Sequence, residues 1–148
     1  MLFRSTDIIE TFESVAFDAV STHGGRVVKL LGDEVMFVAP DLDTAVAIGV
    51  DLISRLAAIE RVPPVHCGIA FGPTVTVGGD VFGPTVNLAS RLTGIARPDS
   101  VALTRGDEEQ ELTARDGLDV RRVRRPYDLK GVGRTSIVAV RPAAETTS

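Results

Sequence analysis

The sequence predicts an α+β fold, with helices packed on a largely antiparallel sheet. Three observations predict it. Helical and strand periodicities both occur, in separate stretches of the chain. They do not alternate strictly as strand and helix, which argues against a doubly wound parallel sheet. A Gly-Asp pair between two β-rich runs is a hairpin signal, and hairpins make antiparallel pairs. With 148 residues, the chain is sized for one domain whose core needs no metal or disulfide to hold it.

The elements follow in chain order. Ser5, Thr6 and Asp7 are candidate caps, Ile8, Phe12 and Val15 or Ala16 keep helical spacing, and Gly24 and Gly25 end the run, so a helix is expected over about 7–21. "RVVKLLGDEVMFVA" reads as the hairpin. "DLDTAVAIGVDLISRLAAIE" is a second amphipathic helix, with Ala45, Ile48, Leu52 and Leu56 on its buried stripe. "VHCGIAFGP" and "TVTVGG" read as the next two strands. "PTVNLASRLTG" is a helix with Pro84 at its first position and Gly94 at its end. "SVALT" is a short strand and "RGDEEQELTA" a surface helix. "LDVRRVRRPYDL" and "RTSIVAVR" are expected to form a final antiparallel pair joined through "KGVG". The domain is expected to span 1–141, with 142–148 a disordered tail.

Composition narrows the partners. Net charge is −4, so no global attraction to nucleic acid or anionic lipid is expected. The arginine run at 121–125 reads as a solvated edge strand, and few aromatics accompany it. No apolar run is long enough for a membrane span, and the first residues lack the plan of a signal peptide. The single cysteine, Cys67, is read as a packed, reduced thiol. These features give a cytoplasmic expectation. No residue pattern suggests a Ser/His/Asp triad, a zinc site or a heme. His23 and His66 stand isolated, and the helix dipole accounts for His23 near a helix end.

Four segments carry unusual polar residues. Lys29 and Asp33 flank the hairpin tip, and Asp80 sits within "GGDVFG". Asn87 and Arg91 lie four apart, hence on one helix face. Asn has weak helix propensity, so its place there asks for a reason. Lys130 precedes two glycines in "LKGVG". Singly, each has a plain reading as a turn or a solvated side chain.

Together, "KLLGDEVM", "GDVFGPTVNLASRL" and "LKGVG" resemble the class III nucleotide cyclases, the adenylate and guanylate cyclase catalytic domains, over about residues 7–141. The resemblance implies a ferredoxin-like cyclase fold. It implies conversion of ATP to 3′,5′-cyclic AMP and pyrophosphate at the interface of a homodimer or heterodimer. Asn87 matches the residue that orients the ribose. Arg91 matches the arginine that stabilises charge on the α-phosphate, a task suited to a planar guanidinium. Lys29 and Asp80 match the base-selecting pair: the carboxylate accepts from the adenine amino group and the ammonium donates to a ring nitrogen. Guanine presents the opposite pattern, so the pair implies ATP. Lys130 falls where the family often places a lysine on the terminal phosphates. Asp33 matches one of two aspartates that hold Mg2+ or Mn2+.

The resemblance fails at the start. The family's first metal aspartate ends an opening strand that is central in its sheet, and no such strand precedes the first helix here. Asp7 sits at a helix start and is not read as a ligand. The sequence therefore implies a shortened cyclase domain with intact base, ribose and α-phosphate residues and one metal aspartate. The alternative reading is an inactive ATP-binding or heterodimerising cyclase homologue.

Overall fold

The computed structural model describes residues 6–104 and 117–143. In chain order these form α1 (Thr6–Thr22), β1 (Arg26–Leu31), β2 (Glu34–Val38), α2 (Leu42–Ala57), β3 (Cys67–Gly68), β4 (Val75–Val77), β5 (Asp80–Phe82), α3 (Pro84–Ile95), β6 (Val101–Thr104), β7 (Leu118–Arg122), β8 (Tyr127–Leu129), β9 (Gly133–Thr135) and β10 (Ile137–Pro142). The α+β expectation holds. The predicted surface helix "RGDEEQELTA" lies outside the described residues.

Local signals place the helix ends. α1 closes with Gly25 N–H donating to Val20 O at 2.9 Å and Gly24 N–H to Ser21 O at 3.1 Å. Those two bonds satisfy carbonyls that the helix leaves without partners. α2 starts where Asp41 Oδ1 accepts from Thr44 N–H at 2.7 Å. Its expected stripe is too narrow. Val46, Gly49 and Ile53 are buried with Ile48, Leu52 and Leu56, while Ala45 is only partly buried. The reason is that α2 has neighbours on two sides. Ile48, Leu52 and Leu56 meet Phe12, Ala16 and Val20 of α1. Val46 and Ile53 meet Val101, Leu103, Val138 and Val140 of the sheet.

That sheet has the order β3-β6-β10-β7. β3 runs parallel to β6, and β10 is antiparallel to both β6 and β7. Its second face carries Ala102 and Ile137, which pack with Leu129 and with Leu92 of α3. Helices therefore cover both faces, with α2 on one and α3 on the other. The approach of α3 to β3 is close enough to exclude a side chain at Gly68: a Cβ there would lie 2.1 Å from Thr93 N and 2.6 Å from Ala89 O. The β1–β2 hairpin is a separate two-stranded sheet, joined by no strand pairing to the other eight strands among the described residues. Its Val27, Val35 and Phe37 pack on the α1–α2 cluster instead.

Near the C-terminus the expected antiparallel pair forms and is joined through "KGVG": β8 pairs with β9 next to the turn, and β7 pairs with β10 further along the same two arms. The ladder is interrupted between β7 and β8, where Pro126 has no N–H to donate. The strand pairing runs into the expected tail. Pro142 ends β10, and Ala143 N–H still donates to Gly117 O at 2.9 Å. Residues 144–148 lie outside the described residues.

Neither histidine stands alone. His66 Nδ1 lies 2.7 Å from Thr93 O, so it donates to that carbonyl near the end of α3. His23 Nε2 lies 3.0 Å from Asp51 Oδ2. Arg55 donates to Asp51 Oδ1 at 3.0 Å and to Asp18, tying α2 to the end of α1. Burial pushes the Asp51 carboxyl up, but the bonds from Arg55 and His23 outweigh it and hold the group below the usual carboxylate range. Asp7 is tied at 3.3 Å to Arg61. Cys67 is partly exposed as a residue, yet its thiol is enclosed, and burial pushes it up to about 12.

Candidate functional site

Lys29 and Asp80 meet. Lys29 lies on β1 and Asp80 opens β5, and Lys29 Nζ is 3.3 Å from Asp80 Oδ2. The turn before Asp80 explains its position. Gly78 and Gly79 take φ of 57° and 82°, the two left-handed residues of a tight hairpin turn. That turn sets Asp80 opposite Val77 and Phe82 opposite Val75. Asp80 is thus a strand residue as well as the neighbour of a turn. Its other oxygen, Oδ1, accepts from Val81 N–H at 2.7 Å. This bond, more than Lys29, holds the Asp80 carboxyl below its usual range, against a smaller upward push from desolvation. The carboxylate is therefore charged and aimed.

Arg26 was not singled out in the sequence. It lies on β1 and donates from Nη1 to Gly79 O at 3.3 Å. It ties the glycine turn to the strand that carries Lys29. Nothing local signals this, because the partner is 53 residues away.

The surroundings of the pair are apolar and uncovered. Residues opposite one another in an antiparallel pair share a face, as do alternate residues along a strand. Val75, Val77 and Phe82 therefore share the face of Asp80, and they are 59%, 62% and 50% exposed. Leu31 shares the face of Lys29 on β1 and is also exposed. The other face of the β4–β5 hairpin holds Val81, which is buried.

Asn87 and Arg91 lie one turn apart on α3, both exposed, while Leu92 is fully buried and Leu88 half-buried. The expected placement on one face holds. Pro84 opens the helix, and Thr85 Oγ1 donates to Pro73 O at 2.7 Å, fixing the helix start to the segment before β4. Because α3 follows β5 after a single residue, Gly83, the Asp80 carboxylate and the Asn87–Arg91 face sit on consecutive rigid elements.

Lys130 follows Leu129, which is buried with Leu92 and Leu88 of α3. Packing thereby brings the end of β8 beside the helix that carries Arg91. Asp33 sits exposed at the β1–β2 tip. Among the described residues, no hydrogen bond or ion pair ties Asp33 or Lys130 to Lys29, Asp80, Asn87 or Arg91. No group of three or more His, Cys, Asp or Glu side chains comes together there either. A magnesium ion takes one or two carboxylates plus substrate oxygens. Asp33 offers a single carboxylate, so these residues do not complete a two-metal site. What these elements carry is one carboxylate–ammonium pair in contact, with an amide, a guanidinium and a second ammonium on the neighbouring α3 and the end of β8.

No family model matches the chain. It is 46% identical over 110 residues to an adenylate cyclase of Streptomyces coelicolor, covering 74% of this chain and 29% of that protein. It is 50% identical over 95 residues to an adenylate cyclase of Streptomyces griseus, covering 64% of this chain and 24% of that one. The chain thus spans less than a third of the length of either relative. Its fold is similar to that of an adenylate/guanylate cyclase/hydrolase from Silicibacter pomeroyi, with TM-score 0.73, 19% identity, and coverage of 95% of this chain and 89% of that chain. Relatives in sequence and neighbours in fold agree: the chain belongs to the class III adenylate/guanylate cyclase catalytic domains.

Proposed function

We propose that the chain binds ATP and contributes to its conversion into 3′,5′-cyclic AMP and pyrophosphate at a dimer interface. The observation that carries this reading is the Lys29–Asp80 pair, preformed at 3.3 Å. The carboxylate accepts from the adenine amino group. The ammonium donates to a ring nitrogen. Asn87 orients the ribose, and Arg91 takes up charge that grows on the α-phosphate during attack by the 3′-hydroxyl. Lys130 holds the terminal phosphates. A divalent ion, Mg2+ or Mn2+, supplies activation of the attacking oxygen in this chemistry. Among the described residues, Asp33 would be its one carboxylate ligand.

The dimer is supported by the uncovered apolar face around the base-reading pair. Exposed to water, two short polar contacts gain little, since water competes for every donor and acceptor. Covered by a second cyclase domain, the same contacts act in a drier site and discriminate more strongly. A second reading, an ATP-binding partner that needs another cyclase domain for its metals, is favoured by the single carboxylate at Asp33.

Calorimetric binding of ATP and GTP, followed by product analysis, tests the proposal. ATP should bind tighter by about tenfold or more, as expected for one or two base contacts. Equal affinities would overturn the base assignment.

A further inference from the structure

The arginine run of the sequence takes no part in the nucleotide site. Besides Lys130, residues 117–143 carry six Arg and two Asp, a local balance of +4 in a chain whose net charge is −4. The cations gather around β7, the last strand in the order β3-β6-β10-β7. One side of β7 pairs with β10 from Leu118↔Pro142 to Arg122↔Val138. Its other side has no strand neighbour among the described residues. An open edge presents backbone donors and acceptors at strand spacing.

The charge around that edge decides what can add to it. A second copy presenting the same edge brings the same excess of positive charge, four Arg against one Asp over residues 118–125, and like net charge opposes that pairing. Alternation along β7 also divides the side chains between the two sheet faces. Arg121 and Asp119 stand on one face, opposite Ala139 and Arg141. Arg122 belongs to the other, in line with Leu118 and Val120, which pack on the core. Arg124 and Arg125 continue the run beyond the strand. A flat anionic surface needs its cations in one plane, and this edge does not provide one. A partner strand carries side chains to both faces and can meet both sets. Arg121 is 79% exposed and, among the described residues, pairs only with Asp119 on its own strand, at 3.3 Å. Among the described residues, Arg124 and Arg125 make no ion pair, so their guanidinium forks are open to carboxylates.

We propose that the free edge of β7 is a docking site for an extended acidic segment of a partner protein. The segment adds as a strand to β7. Its main chain pairs with the β7 backbone, and its carboxylates pair with Arg121, Arg124 and Arg125. The proposal stands apart from the nucleotide reading, because no residue in it belongs to the nucleotide site.

The test uses the 148-residue chain and a synthetic peptide of about ten residues alternating Glu and Val, the strand period with a carboxylate at every second position. Binding is read by fluorescence anisotropy, and the contact surface by amide chemical shifts. The peptide should shift β7 amides and bind about tenfold more weakly to the Arg124→Gln/Arg125→Gln chain, as lost charge pairs at an interface predict. The same peptide N-methylated at alternate amides should bind at least as weakly, because it cannot complete the ladder. Full binding by the N-methylated peptide would reduce the site to unspecific charge and overturn the proposal. Tighter binding of phosphatidylserine vesicles or duplex DNA than of the peptide would also overturn it. The two substituted arginines are outside the core, and circular dichroism of the variant shows whether the fold is kept.

Discussion

Lys29 and Asp80 are 51 residues apart in the chain, and their side chains lie 3.3 Å apart. Their backbones come from different hairpins. The Asp80 carboxylate is held by a bond to the adjacent Val81 N–H at 2.7 Å, and Lys29 completes the pair across the gap between β1 and β5.

Replacing both residues should remove the choice between bases. The Lys29→Ala/Asp80→Ala chain should bind ATP more weakly by about 1–3 kcal/mol, the range for two lost polar contacts. Its GTP affinity should change less. Isothermal titration with both nucleotides checks this, and a retained preference for ATP would assign base reading elsewhere.

Arg91 should matter more to turnover than to binding. Where activity is present, Arg91→Ala should lower kcat by about 100-fold or more, the scale of losing one donor to developing charge, with ATP affinity nearly unchanged. Steady-state kinetics together with a separate ATP titration separate the two quantities. A raised KM at normal kcat would instead make Arg91 a binding residue.

The metal half should have to come from outside these 148 residues. Alone, the 148 residues should form little cyclic AMP with Mg2+ or Mn2+, since Asp33 contributes one carboxylate. Mixed with a cyclase domain whose metal aspartates are intact but whose Asn and Arg equivalents are removed, they should regain activity, because one of the two shared sites then holds every group. Assay of each protein alone and of the mixture decides this. Robust activity from this chain alone would show that another group stands in for the second aspartate.

The link between α1 and α2 should weaken in acid. The folded-state pKa of Asp51 is lowered. Its stabilising share is therefore present above the unfolded carboxylate range of about 4 and is lost as pH falls through the folded value. Asp51→Asn should cost about 1 kcal/mol at pH 7, where Arg55 and His23 lose a charged partner, and much less at pH 3. Urea midpoints at the two values measure it. An equal cost at both would place the effect in packing.

Gly68→Ala should strike the backbone of α3. Its Cβ would meet Thr93 N at 2.1 Å and Ala89 O at 2.6 Å, neither the end of a flexible side chain. The expected cost is about 2–3 kcal/mol of stability, as for an overpacked core. Chemical denaturation of the purified variant gives the number, and an unchanged midpoint would mean that α3 can draw back.

The sequence by itself determined what depends on neighbours along the chain. The spacing of Phe12 and Ala16 and the Gly24–Gly25 stop give α1 to within a residue at each end. Pro84 marks the start of α3, and the Gly32–Asp33 pair joins β1 to β2. Helical period and turn chemistry are local, so they can be read before any contact forms. The edge position of Arg121 and Arg122 was legible for the same reason: a strand that exposes adjacent arginines has little room for neighbours on both sides.

The tertiary structure alone decided the rest. α2 buries a wider face than one stripe because α1 and the sheet press on it from two directions. His23 finds Asp51, 28 residues away, where the helix end alone had offered only a dipole. The pair closed by "KGVG" breaks into two ladders, β8 with β9 and β7 with β10, and Leu129 of the first is drawn into the core beneath α3. Arg26 reaches the carbonyl of Gly79, and the apolar face around Asp80 stays uncovered. Each of these depends on which distant segments share a surface. Burial and long-range pairing set that, and they have no period along the chain.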